Sequence, residues 1–133
     1  MVMLRFLLDT NICIYLMKEQ PEPVIRRFSA CKPGVVGVSS ITWAELCCGL
    51  EVHNSPPELT ALSNSLVIKD FDRQAAAFFG NLSRQFPARK NSFDRMIAAH
   101  AISLGITLVT NNAADFALYA DAGLVVENWT TSA

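Results

Sequence analysis

Several classes of protein are excluded by what this chain lacks. No apolar stretch approaches the length that spans a bilayer. The apolar opening is too short for the core of a signal peptide and runs straight into Asp9, so a soluble, cytoplasmic protein is expected. The four cysteines, Cys13, Cys31, Cys47 and Cys48, form no CxxC pair and have no zinc-site spacing. Small, buried, reduced thiols are the expectation for them. Only 17% of residues are charged and the net charge is −1, so there is no global attraction to nucleic acid or anionic membrane. That balance does not exclude an RNA partner, because acids that bind a cation can mask a local basic patch. A GxSxG elbow and a paired Cys and His are both missing, which removes the usual covalent nucleophiles. Repeats, low-complexity tracts and interdomain linkers are also lacking. With 133 residues, 51% of them hydrophobic, the expectation is one folded domain over residues 1–133 with a real core.

What is present is organised around Leu7-Leu8-Asp9-Thr10-Asn11. Residues 3–8 are apolar except for Arg5 and stop at a carboxylate, as expected of a central strand buried on both faces of a parallel sheet. Ile12, Tyr15 and Leu16 then recur at helical intervals, so Asp9 stands at a strand end where a helix begins. Ligands gather outside such strand ends in open α/β sheets. Helix capping by Asp9 or Asn11 is the plain alternative.

The rest of the chain repeats this alternation. Pro21-Glu22-Pro23 is a break, and Val24, Ile25 and Phe28 make a short amphipathic helix. A turn at Lys32-Pro33-Gly34 leads into a strand over 35–38, and Ser40 is placed to cap a helix running from Ile41 to about Leu50. Residues 53–57 read as a loop, 58–65 as a short helix and 66–68 as a brief strand. Asp70 or Asp72 opens a long helix through Ala75, Phe78, Phe79 and Leu82. After a polar, basic connection over 87–92 comes a strong helix from Phe93 to near Gly105. Strands over 106–109 and 124–126 complete an α/β, three-layer arrangement with a central, mostly parallel, twisted sheet flanked by helices.

Three acids stand out against this pattern. Ile41, Ala44, Cys48 and Gly49 share the helix side of Glu45, which predicts a small apolar face and a carboxylate partly withdrawn from water. Asp94 heads the apolar stripe of Ile97, Ala98, Ala101 and Ile102. An acid in a first helical turn is favoured by the helix dipole, but that does not explain its apolar side. Asp9, Glu45 and Asp94 therefore converge, with Thr110-Asn111-Asn112 and Asp115 arriving from another strand end. Clustered carboxylates repel unless a cation separates them. Oxygen ligands without a paired His or Cys favour a hard ion, Mg²⁺ or Mn²⁺, completed by water and substrate phosphate.

These stretches resemble the PIN-domain ribonucleases of the VapC toxin type. The resemblance is carried by 7–11, by Ser40-Ile41-Thr42-Trp43-Ala44-Glu45-Leu46, by 93–101, by Val109-Thr110-Asn111-Asn112 with Asp115-Phe116, and by Glu127-Asn128-Trp129. It implies that Asp9, Glu45 and Asp94 form an acidic metal-binding core. The family's fourth acid follows the Thr of the last motif, where Asn112 stands, with Asp115 nearby. It further implies an Mg²⁺-dependent endoribonuclease toxin that leaves 5′-phosphate and 3′-hydroxyl ends. A structured RNA such as tRNA would be its substrate, a homodimer its assembly, and a cognate VapB-type antitoxin its inhibitor. One departure concerns the loop before Asp94, which is rich in glycine and proline in relatives. Here Pro87-Ala88-Arg89-Lys90-Asn91-Ser92 has no glycine.

Other conspicuous residues have plainer readings. His100 lies six positions after Asp94, off its face, which favours a core role; His53 sits in the Pro-rich loop, and Trp43 is packing. Arg84, Arg89, Lys90 and Arg95 are either a phosphate-contacting patch or a solvated face. Thr10, Asn11, Ser39 and Thr110 read as supports for the acids or as caps. Two rival functions compete with the nuclease. One is a non-catalytic PIN-like module that binds RNA or protein. The other is a phosphoaspartyl phosphatase or receiver-like domain, which lacks its second Asp at Asn11 or its late Lys at Thr110-Asn111. The antitoxin is expected to reach the acids with an Arg guanidinium and to lie on apolar helix surface around Ile14, Met17 and Val24.

Overall fold

Five strands, β1 (Phe6–Leu8), β2 (Val36–Ser39), β3 (Val67–Lys69), β4 (Thr107–Val109) and β5 (Val125–Glu127), build one sheet in the order β3-β2-β1-β4-β5. The structure is a computed structural model that describes residues 2–49, 56–87 and 92–131. Every neighbouring pair of strands is parallel. The connections are α1 (Thr10–Lys18), α2 (Glu22–Ser29), α3 (Ser40–Cys48), α4 (Pro56–Ser65), α5 (Arg73–Gln85), α6 (Phe93–Leu104) and α7 (Ala113–Phe116), with a 3₁₀ segment at Ala117–Ala122.

β1 is central, as its unbroken apolar character requires. Leu7 and Leu8 are wholly buried and point to opposite sides, as alternate strand residues must. Leu8, Val38 and Val109 pack with Ile12, Val24, Leu59 and Leu62 of α1, α2 and α4. Leu7 and Leu108 pack with Leu82 of α5 and with Ile97, Ala98 and Ala101 of α6. Helices α1, α2 and α4 thus cover one face and α5 and α6 the other. Helix α3 contributes Leu46 to the first layer and Ile41 to the second. The strand order runs outward from β1 to β3, then returns to β1's other side with β4. This return creates a topological switch point between β1 and β4, where a crevice opens at the carboxyl strand ends. A receiver-type sheet runs 2-1-3-4-5 instead, so the receiver reading falls on topology.

Several boundaries differ from the sequence expectation. The apolar run before Asp9 overstates β1, because Val2 and Met3 are exposed. Arg5 still pairs through its backbone, donating to Val35 O at 2.8 Å and accepting from Thr107 N at 3.1 Å. Helix α4 begins at Pro56, since proline is tolerated in a first turn where no N–H partner is needed. Ser39, not Ser40, caps α3: its Oγ accepts from Ile41 N at 3.1 Å. Ser40 Oγ instead accepts from Phe71 N at 3.0 Å. Asp72, not Asp70, caps α5 by accepting from Ala75 N at 2.9 Å. Gly105 ends α6 in the left-handed region, as placed. Of the cysteines only Cys13 is buried; Cys31 is partly covered, and Cys47 and Cys48 are exposed. Helix α3 ends at Cys48 with Gly49 as its C-cap, short of the expected end at about Leu50. His53 and most of the 87–92 connection lie outside the described residues.

Gly37 is the tightest point of the sheet. A Cβ there would lie 2.5 Å from Val67 O of the neighbouring strand and 2.9 Å from Leu4 Cδ1. The strand backbone cannot yield without breaking the β2/β3 ladder. Gly37→Ala is expected to cost about 1–3 kcal/mol, in the range of overpacked sites. Its thermal midpoint measured beside the wild type checks this.

Candidate active site

The crevice between β1 and β4 is closed by hydrogen bonds to Asp9, which is only 8% exposed. The register Leu8↔Val109 sets Asp9 beside Thr110, and Asp9 N donates to Val109 O at 2.8 Å. Thr110 Oγ1 donates to Asp9 Oδ2 at 2.7 Å and accepts from Asn112 N at 3.0 Å. The other carboxylate oxygen, Oδ1, accepts from Thr10 N at 2.6 Å. Asp9 therefore is the helix N-cap of the plain alternative, and its carboxylate is fixed at both oxygens.

Thr10 carries the arrangement to a second acid. Its Oγ1 donates to Glu45 Oε1 at 3.0 Å, joining the start of α1 to the middle of α3. Glu45 is half-buried, but not on the face the helical wheel indicated: Ala44 and Cys48 are exposed, and Thr42 and Leu46 are the buried side. Glu45 lies at the edge of that face, which leaves it open toward Asp9. Burial pushes the Glu45 carboxyl up, the Thr10 bond holds it down, and the charges of Asp9 and Asp94 push it up further. Asp94 lies in the first turn of α6 and is exposed on one side. Loss of part of its water raises its carboxyl, and Asp9 and Asp115 add to the rise. The buried thiol of Cys13 is raised first by burial, then by Asp9 and Glu45. Asp9, Glu45, Asp94 and Asp115 thus share one electrostatic neighbourhood. Among the described residues the only ion pairs are Arg26–Glu22 and Arg27–Glu127, both elsewhere.

Asn112 and Asp115 contact each other, Asn112 Nδ2 donating to Asp115 Oδ2. Asp115 makes no helix-cap bond; α7 begins after Asn112, which has none either. Asn111 Nδ2 donates to Tyr15 Oη at 3.0 Å, and Asn111 Oδ1 accepts from Asn11 Nδ2 at 3.3 Å, tying the β4 loop to α1. That tie, the Thr10–Glu45 bond and the Ser39–His100 contact described below escaped the sequence reading. For the Thr10–Glu45 bond the available signal was a hydroxyl side chain directly after Asp9. The basic patch loses a member: Arg95 is buried and donates to Tyr119 Oη at 3.2 Å and to Phe86 O at 2.9 Å. Arg84 is exposed and bonds Asn81; Arg89 and Lys90 lie outside the described residues.

The donor set suits a hydrated hard cation. All four side chains offer oxygen only, they repel one another, and no described basic group neutralises them. No three of them gather tightly enough among the described residues to enclose an ion by themselves.

Comparison with known proteins shows the family. The family model for the PIN domain matches residues 6–122. The tRNA(fMet)-specific endonuclease VapC of Shigella flexneri is 36% identical over 135 aligned residues, covering 96% of this chain and 100% of that one. A ribonuclease VapC2 of Haemophilus influenzae is 38% identical over 134, covering 96% and 99%. DNA-bound VapBC from Salmonella typhimurium superposes with a TM-score of 0.80 at 34% identity, over 95% of this chain and 98% of that one. VapBC2 from Rickettsia felis, bound to a promoter DNA fragment, gives 0.79 at 28%, over 95% and 99%. The chain belongs to the PIN-domain family, and within it to the VapC ribonucleases.

The raised carboxyls generate a test. A carboxyl raised in the folded state opposes folding when ionised, so stability is lost as pH rises from the ordinary carboxyl range, about pH 4, through the raised values. In cation-free buffer Glu45→Gln and Asp94→Asn should each be more stable than wild type at pH 7. The gain should vanish below about pH 4, where both carboxyls are protonated in either state. Denaturant titrations at the two pH values measure it.

Proposed function

We propose that this protein is an Mg²⁺-dependent endoribonuclease, the toxin of a toxin–antitoxin pair, and that Asp9, Glu45, Asp94 and Asp115 are its catalytic acids. The observation that carries the reading is the fixed Asp9 at the β1/β4 switch point, with Glu45 held beside it by Thr10. The names of the relatives point to RNA, and tRNA(fMet) in the Shigella protein's name makes structured tRNA the first substrate to try.

The acids would hold Mg²⁺ or Mn²⁺, with Asn112 Oδ1 as a further oxygen ligand. Such an ion polarises a phosphodiester and lowers the pKa of bound water. Asp9, clamped at both oxygens, is held in position by Thr110 and Thr10. Asp94, on the solvent side with a raised carboxyl, is suited to take the proton from an attacking water. Glu45 faces the same crevice from α3. The family resemblance implies 5′-phosphate and 3′-hydroxyl products.

Inhibition by a VapB-type antitoxin fits the surface. A groove of about 430 Å³ lies between α1, α2 and α4, lined by Leu16, Met17, Ile25, Phe28, Ala61 and Leu62. This revises the expected surface: Met17 lines it, whereas Val24 is buried in the core and Ile14 packs against it. Helix α1 links groove to acids, since Met17 is seven residues, roughly 10 Å of helix rise, from Thr10. An amphipathic helix in the groove could extend an Arg to the carboxylates. A homodimer is proposed on the family resemblance.

Two measurements test the reading. Asp9→Asn and Asp94→Asn should each reduce Mg²⁺-dependent RNA cleavage by at least about 100-fold while the fold survives, because a metal centre supplies several kcal/mol. Wild-type rates in either variant would remove the acid assignment. Asp115→Ala should weaken Mg²⁺ binding more than Asn112→Ala, because a carboxylate is the stronger ligand for a hard ion. Equal affinity in Asp115→Ala and wild type would exclude Asp115.

A further inference from the structure

One buried polar contact has no part in the chemistry above. His100 Nδ1 lies 2.8 Å from Ser39 Oγ, across 61 residues of sequence. Ser39 is 0% and His100 1% exposed. His100 stands in an otherwise apolar stretch of α6, between Ala99 and Ala101, and its ring meets Phe71 edge-on at 5.6 Å. A leucine there would avoid the cost of burying an imidazole, so packing alone does not account for it. Ser39 is the last residue of β2 and the cap of α3. Its Oγ already accepts the Ile41 N–H, which leaves its hydroxyl proton to donate to Nδ1 of a neutral ring. Burial lowers the His100 pKa, consistent with that neutral form, while Asp72 and Asp70 act the other way and Lys69 with it.

The placement of this bond is what matters. Ser39 precedes Glu45 by six residues on α3, and His100 follows Asp94 by six on α6. At 1.5 Å per residue each acid lies about 9 Å along its helix from the same crosspiece. Rotation of either helix about that point swings its acid and so changes the separation of Glu45 and Asp94. The Thr10–Glu45 bond ties α3 to Asp9, but among the described side-chain bonds Ser39–His100 is the one that joins α3 to α6.

We propose that the Ser39–His100 hydrogen bond is a positioning device that sets the spacing of Glu45 and Asp94 for cation binding. The proposal rests on the acid assignment above. His100 touches no reacting atom, so its effect passes through the two helices.

Mn²⁺ binding to the full chain, followed by calorimetry with no RNA present, tests it. His100→Leu keeps bulk and removes the acceptor, and affinity should fall about tenfold, at the low end of outer-ligand mutations. His100→Asn, whose Oδ1 can occupy the Nδ1 position, should stay within about threefold of wild type. Ser39→Gly deletes the hydroxyl but leaves a residue that a helix N-cap tolerates. It should match His100→Leu, and the double variant should be no weaker than the weaker single, as expected of one shared bond. Unchanged Mn²⁺ affinity in both single variants overturns the proposal, as does a loss that His100→Asn fails to restore. A loss that merely tracks a lowered thermal midpoint also overturns it, since a structural residue would do the same. Asp94→Asn measured alongside separates the two readings. If it loses Mn²⁺ while His100→Leu does not, only the positioning role fails; if Asp94→Asn binds as wild type, both fail.

Discussion

The hydroxyl of Thr110 donates to Asp9 across the seam where the chain reverses its order through the sheet, and the remainder of the site is built outward from that bond. It fixes one oxygen of the carboxylate while the first N–H of α1 fixes the other. The same hydroxyl receives Asn112 N and so also shapes the loop that delivers Asp115. A parallel sheet with an order reversal must leave a crevice at this seam. Filling the crevice with an immobilised acid makes it a binding site rather than a gap.

Around Asp9 the structure accumulates like charge. Glu45 and Asp94 are both raised by lost water and then by other acids, a cost the fold bears without any described basic partner. Buried or clustered charge that lacks its counterion is destabilising, and stability alone would favour its removal. Its presence on three separate elements is the feature that supports the proposed cation site. On the function proposed above, a hydrated divalent ion and an antitoxin guanidinium are the two positive groups that meet this need. The apolar groove at the far end of α1 is the anchor proposed above for the inhibitor, one that a metal ion cannot use.

Buried polar contacts hold the acid-bearing helices in register. Thr10 joins α1 to α3, Ser39 joins α3 to α6, and Arg95 holds the start of α6 to Phe86 and Tyr119. Apolar packing resists separation of helices but tolerates small rotations. Directional bonds oppose the rotations that would alter distances between carboxylates.

The alternation of strands and helices, the central place of β1 and the convergence of Asp9, Glu45 and Asp94 were legible in the sequence. They depend on local patterning: an apolar run stopped by Asp9, apolar stripes led by Asp94, and turn residues between elements. Other features were decided only by tertiary contact. A helical wheel gives the angle between Glu45 and its neighbours but not which sector meets the sheet; Thr42 and Leu46 took the core, and Ala44 and Cys48 faced outward. Ser39 and Ser40 are equivalent caps on paper, and the hydrogen bonds to Ile41 and Phe71 told them apart. Arg95 looked like part of a phosphate patch until Tyr119 and Phe86, distant in sequence, supplied partners for a buried guanidinium. Local sequence fixes where a side chain sits on its own element. What lies across from it depends on elements tens of residues away, and so do burial, charge coupling and hydrogen-bond partners.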